Sequence, residues 1–205
     1  MTDAFITAFV TLFLIIDPIG LLPMFIALTS GTTNSERRGI ALRATGVAFF
    51  ILALFALVGE NLLTAVGIGM PAFRIAGGML LFLTAVDMLF ERRSARRDKQ
   101  SEEAERVDPS VFPMATPLIA GPGSIAAAIL LAGQDDHGVN AIILTISAVL
   151  CVLFVAIVLF FSSNLLERLL GKTGINVITR LLGMLLAALA VQFVVDGMRG
   201  LGALV

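Results

Sequence analysis

Six long apolar runs alternate with short polar or glycine-rich interruptions along this chain. They cover about residues 4–28, 40–58, 70–90, 111–132, 139–161 and 177–198. A helix needs ~20 apolar residues to cross the hydrocarbon core of a bilayer, so each run reads as one span. The interruptions are Asn34-Ser35-Glu36-Arg37-Arg38, Gly67-Ile68-Gly69, the stretch from Glu91 to Asp108, Gly133 to Gly138, and Gly171-Lys172-Thr173-Gly174. The third is the longest and is rich in Arg, Glu and Ser. The pattern predicts an all-α integral membrane protein with three helices in residues 1–90, a charged linker at 91–108 and three more helices in 109–205.

Two of the runs contain prolines where an unbroken helix would not tolerate them. Asp17-Pro18-Ile19-Gly20 interrupts the first run, and Gly121-Pro122-Gly123-Ser124 interrupts the fourth. Non-helical backbone at membrane depth survives only where it is buried in protein or lines a cavity. Breaks at corresponding positions of two halves are a sequence pointer to a transporter binding site. Proline drives the residue before it out of the α region and is welcome at the first position of a helix. The first helix should therefore stop near Ile16, with Asp17 as the N-cap of a second half-helix running from Pro18 to about Leu28. Gly121-Pro122 should do the same in the fourth run, with Pro113 and Pro117 loosening its first half.

Composition agrees. Of the 205 residues, 58% are hydrophobic and only 14% charged, and the mean hydropathy is +1.00; soluble domains carry about 25% charged residues. The single cysteine, Cys151, excludes an internal disulfide and a cysteine metal cluster. The N-terminus lacks the basic region and small-residue cleavage site of a removable signal peptide. Trp and Tyr are both absent, so no aromatic belt of the usual kind is present.

Charge sets an expected orientation. Eleven of the fourteen Lys and Arg fall on one side, in the loops after the first, third and fifth helices. Arg199 lies on the other, and Arg74 and Arg180 sit near the starts of the third and sixth helices. The basic side should be cytoplasmic, with both termini outside. The halves also echo each other. Gly67-Ile68 precedes Arg74-x-x-Gly77 as Gly174-Ile175 precedes Arg180-x-x-Gly183. Pro18 and Pro122 are 104 residues apart, and Arg74 and Arg180 are 106 apart. Three spans is an odd number, so the second half enters from the opposite face and the repeats are inverted.

The breaks carry the candidate chemistry. Each restart would expose helix N-terminal amides near the midplane, an end with roughly +0.5 charge that suits a carboxylate. Asp17 adds one negative charge beside them, and together they match a small zwitterion. The candidate substrate site is Asp17, Pro18, Ile19, Gly20, Gly121, Pro122, Gly123 and Ser124. Asp17 either takes a coupling proton or ion, or pairs with a substrate ammonium, since a carboxylate at mid-membrane is costly to keep without a function. Arg74, Arg180 and Gln192 are supporting candidates. Each has a plainer role: Asp17 as a cap alone, Gly121, Gly123 and Ser124 as close-packing residues, Arg74 and Arg180 as helix-start anchors or lipid-phosphate contacts, Gln192 as an interhelical hydrogen bond. Asp87 and Asp196 read as interfacial, His137 as a solvated loop residue, and Cys151 as an apolar packer. No nucleotide-binding loop and no His in the spans point to ATP hydrolysis or an intramembrane enzyme. No cofactor or metal is called for beyond coupling H+ or Na+. No nucleic-acid partner is expected; membrane lipid is, and a homo-oligomer is compatible with the sequence.

Four stretches carry a family resemblance: Ile16-Asp17-Pro18-Ile19-Gly20 with Pro23 and Phe25; Phe73-Arg74-Ile75-Ala76-Gly77-Gly78; Pro117-Leu118-Ile119-Ala120-Gly121-Pro122-Gly123; and Val191-Gln192-Phe193-Val194-Val195-Asp196-Gly197. In this order and spacing the chain resembles the MarC family of bacterial and archaeal inner-membrane proteins over essentially its whole length. The resemblance implies a six-helix protein with inverted repeats. It also implies kinship with the small neutral amino acid transporters, which move glycine and alanine coupled to protons. A secondary transporter of that kind is the expectation; an exporter of another small metabolite or a drug is the alternative, with a membrane assembly factor or an intramembrane enzyme behind it.

Overall fold

The computed structural model describes residues 2–92, 108–133 and 139–203. The middle of the charged linker and the His137 loop lie outside these residues. The described residues form helices joined by turns, with no strand. In chain order the elements are α1 (Thr2–Ile16), α2 (Leu22–Leu28), α3 (Asn34–Val66), α4 (Met70–Leu89), α5 (Ser110–Ile119), α6 (Pro122–Ala132), α7 (Val139–Phe161) and α8 (Ser163–Gly200).

The ends of these elements follow from local chemistry. Thr33 and Glu36 form a capping box at the start of α3. The Glu36 amide donates to Thr33 Oγ1 (3.3 Å) and the Thr33 amide to Glu36 Oε2 (2.8 Å). Gly67 ends α3 in the left-handed conformation at φ 81°. Gly69 and Pro71 then start α4 at once. Helix α5 is irregular: Phe112 and Thr116 leave helical geometry, and Pro113 and Pro117 each remove a backbone donor. It meets α6 at a bend of 55°.

Among the described residues four helices are long and apolar enough to cross a membrane: Asn34–Val66, Met70–Leu89, Val139–Phe161 and Thr173–Gly200. The bent pair α5–α6 makes a fifth if counted as one span, and α1 is a shorter apolar helix. The tightest pairing is α4 against α8. A Cβ on Gly183 would meet Met88 and Ala85, one on Gly78 would meet Ala190 and Val194, and one on Gly197 would meet Pro71 and Ile75. Residue numbers on α4 thus fall as those on α8 rise, so the helices run antiparallel. Their glycines let the backbones approach closely, as small residues do in membranes.

Three boundaries differ from the sequence reading. The regular helix of the first run restarts at Leu22 rather than Pro18, because residues 18–21 form a tight turn. Helix α3 extends from Asn34 to Val66, well beyond 40–58, since its polar ends still propagate from a strong cap. Residues 163–170, read as part of a connection, are helical, and only Gly171 (φ 61°, ψ 175°) interrupts α8.

Candidate functional site

The first break is organised around Asp17, whose side chain is fully buried. Its amide closes the last turn of α1 by donating to Phe13 O (3.0 Å). Its own backbone is left-handed, at φ 53°, a region non-glycine residues rarely occupy outside Asn and Asp. The chain therefore reverses at this residue. Asp17 Oδ1 accepts from the Gly20 amide (3.0 Å), and the Asp17 carbonyl accepts from the Leu21 amide (3.1 Å). The carboxylate thus caps the turn Pro18–Leu21. Any Cβ on Gly20 would collide with that carboxylate, so the side chain and the glycine require each other. Pro18 is buried, while Ile19 and Gly20 are half-buried.

At the second break Gly121 is extended (φ −87°, ψ 172°) and its carbonyl accepts from the Ile125 amide (2.9 Å), starting α6. A Cβ there would press on the Pro117 carbonyl oxygen. Pro122 occupies the first helical position and is exposed. No side chain caps this end, so the leading amides of an 11-residue helix are left to another acceptor. Gly123 sits in that first turn. A Cβ on it would lie 3.4 Å from Ile15 Cγ2, 3.4 Å from Leu81 Cδ2 and 3.6 Å from Thr84 Oγ1. Ile15 is two residues before Asp17, so the start of α6 packs directly on the end of α1. Ser124 is buried one residue further on. The buried Asp17 and the start of α6 are thus linked through the contact of Gly123 with Ile15.

The same chain-long pattern is found in known proteins. The profile of the MarC family integral membrane proteins matches residues 2–202. A UPF0056 membrane protein of Archaeoglobus fulgidus is 40% identical over 196 residues, covering 95% of this chain and 92% of its own length. The UPF0056 membrane protein YvbG of Bacillus subtilis is 38% identical over 98% of this chain and 97% of itself, and YhcE of Escherichia coli is 36% identical over 94% and 91%. The chain belongs to the MarC family. No solved structure matches it.

The other candidates of this MarC protein sit on α3, α4, α7 and α8. Arg180 donates to Glu91 Oε1 (2.7 Å), with Asn176 donating to the same oxygen (3.3 Å). Both charged side chains are about half exposed, so the pair ties α8 to the end of α4 at the rim. Gln192 is exposed and donates to Asp196 Oδ1 on its own helix (2.9 Å), and Asp196 also accepts from Arg199 (3.3 Å). Arg74 is half-buried on α4, one turn ahead of Gly77. Asp87 is half-buried on α4, Glu60 is exposed on α3, and Cys151 is exposed on α7. Among the described residues no three His, Cys, Asp or Glu side chains gather as a metal site.

Sequence reasoning missed one cluster. Arg37 was counted only as a basic loop residue, yet its Nη1 donates to Asn164 Oδ1 (2.7 Å) and its Nη2 to Ser163 Oγ (2.6 Å). Its guanidinium lies 5.2 Å from the centroid of the Phe25 ring. The available signal was an arginine one residue after the Thr33–Glu36 cap, aimed back along the first turn of α3.

Proposed function

We propose that this chain is a secondary transporter of small neutral amino acids, glycine and alanine foremost, driven by a proton gradient across the bacterial or archaeal cytoplasmic membrane. The observation that carries this reading is the fully buried Asp17 carboxylate at one chain break, with the N-terminus of α6 at the other break packed on Ile15, two residues before it. The helix end suits a substrate carboxylate, and Asp17 suits either its ammonium or a coupling proton. Gly20 lies against the Asp17 carboxylate and Gly123 against Ile15 and Leu81, a tight setting that favours the smallest amino acids.

In this reading α1 with α2 forms one broken span and α5 with α6 another, giving six spans in two inverted repeats of three. Residues 1–90 and 109–205 are the repeats, and 91–108 is a cytoplasmic linker. Both termini then lie outside. Transport requires no covalent chemistry and no resident cofactor here; the ligands are the zwitterion, the coupling ion and membrane lipid. The test is uptake of labelled glycine and alanine by proteoliposomes, with and without an imposed pH gradient. Accumulation above the external concentration only with the gradient is expected. Uptake no faster than in empty liposomes, for both amino acids, would contradict the proposal.

A further inference from the structure

Helix α6 is wedged between α3 and α4. Two adjacent residues of α6 face glycines on either side. A Cβ on Gly59 of α3 would lie 2.5 Å from Ile129 Cγ1, and one on Gly77 of α4 would lie 2.8 Å from Leu130 Cδ1. The two flanking helices are nonetheless joined only by Gly67-Ile68-Gly69. They therefore splay apart from that corner to admit α6. At the corner lies a cavity of about 320 Å³, lined by Glu60, Leu63 and Thr64 of α3, by the corner itself and by Met70 of α4. Met70 reaches back to Gly133 at the end of α6. The corner itself is bare. A Cβ on Gly67 would meet nothing within 4 Å, and one on Gly69 would meet only Pro71 Cδ at 3.8 Å.

The side-chain polar groups of this cavity are acceptors. Glu60 supplies a carboxylate, and no ion pair engages it among the described residues. Thr64 Oγ1 donates to the Glu60 carbonyl (3.0 Å), which leaves the hydroxyl lone pairs open to a donor. Both residues belong to the last two turns of α3, whose C-terminal end carries about half a negative charge. The first turn of α4 borders the cavity too, but Pro71 removes one of its amide donors. Of the basic residues at this end of the helices, Arg199 is held by Asp196 (3.3 Å), and Arg74 stands one turn beyond Met70.

Depth narrows the choice of ligand. Glu36 and Glu60 are the two acids of α3, 24 residues apart, which is about 36 Å along a helix. That separation brackets a hydrocarbon core of about 30 Å. Glu60 is exposed and lies at the polar boundary opposite the Thr33–Glu36 cap, where headgroups and water both reach. On the orientation read from the basic loops this is the outer face. One carboxylate and one hydroxyl are too few for a hard metal ion, which takes about six to eight oxygens. Leu63, Ile68 and Met70 instead offer an apolar wall to a short carbon stem.

We propose that the α3–α4 corner binds a primary ammonium group, with Glu60 as its counter-ion, Thr64 Oγ1 as a second acceptor and Leu63, Ile68 and Met70 around its carbon stem. The group arrives either on the ethanolamine headgroup of a membrane lipid or on a small water-soluble amine; both present the same atoms to Glu60. The site draws on neither Asp17 nor Gly121, so the transport reading and this one stand or fall separately.

The test follows the Met70 methyl signal by carbon-13 NMR. The full chain is labelled at methionine and held in phosphatidylcholine nanodiscs, and the peak missing from Met70→Leu assigns the signal. One arm replaces part of the lipid by phosphatidylethanolamine with the same acyl chains. The other adds ethanolamine to the water, with choline as the control, because its quaternary nitrogen cannot donate. A saturable shift of the Met70 signal is expected in at least one arm, with none from choline. A shift in the first arm identifies the lipid headgroup as a source, and a shift in the second identifies the soluble amine. Glu60→Gln, at an exposed position, should weaken the response about tenfold, the factor that follows from losing a hydrogen bond to a charged group. Thr64→Val, which removes the second acceptor and keeps the shape, should weaken it by a smaller factor. No shift in either arm would overturn the site. So would a response to choline equal to that of ethanolamine, or a Glu60→Gln response equal to the parent's, since either makes the corner a non-selective crevice.

Discussion

At the scale of single residues, Asp17 and Gly20 form a unit. The carboxylate sits where any side chain at position 20 would have to be, and the Gly20 amide donates to it. Gly20→Ala should therefore displace the carboxylate and cost about 1–3 kcal/mol through overpacking, read as a lowered unfolding temperature together with lost transport. Asp17→Asn keeps the shape and caps about as well, so its unfolding temperature should stay near the parent's. Asp108 offers a separate check outside the spans. Hydrogen bonds from the Ser110 hydroxyl (2.7 Å) and amide (3.0 Å) hold its carboxyl below the usual range, and Arg43 adds to this from 3.3 Å. A lowered folded-state value means the stabilisation is full above about pH 4 and is lost as pH falls through the lowered value. Asp108→Asn should thus lower the unfolding temperature at pH 7, and the difference from the parent should vanish in acid.

At the scale of elements, the breaks and the proline-loosened α5 were legible, and the turn at 18–21 and the helix at 163–170 were not. Asp17-Pro18 and Gly121-Pro122 announce themselves because proline removes a donor and fixes its own φ. The stop of α1 at Ile16 and the start of α6 at Pro122 follow from those residues alone. The turn at 18–21 depends on the Asp17 side chain capturing the Gly20 amide, a choice that several local geometries compete for. The arm at 163–170 was hidden because Gly171-Lys172-Thr173-Gly174 has loop composition, while only Gly171 leaves helical geometry. The hydrogen bonds of Arg37 were invisible because its partners are 126 and 127 residues away. The α4–α8 contact was likewise a matter of tertiary register. A Cβ on Gly78 would lie 2.8 Å from the Ala190 backbone oxygen, which cannot rotate away. Gly78→Val should destabilise the protein by about 1–3 kcal/mol or more, whereas Gly39→Ala, with nothing within 4 Å, should not. Thermal unfolding in detergent measures both.

At the scale of the whole molecule, the basic residues and the broken helices support one topology. Reporter fusions after Lys99 should read cytoplasmic, and fusions after Val205 should read external. The reverse pattern would remove both the orientation and the pairing of α1 with α2 as one span. Gly123 of α6 packs on Ile15 of α1, two residues before the buried Asp17. The central claim is that Asp17 couples a gradient to movement of a small zwitterion. The most direct measurement is labelled glycine and alanine movement in proteoliposomes carrying the parent or Asp17→Asn, read both as accumulation under a pH gradient and as exchange against internal substrate without one. The account predicts accumulation by the parent, none by the variant, and substrate exchange or binding retained in the variant. Accumulation by Asp17→Asn equal to the parent's would contradict it and leave Asp17 as a cap alone.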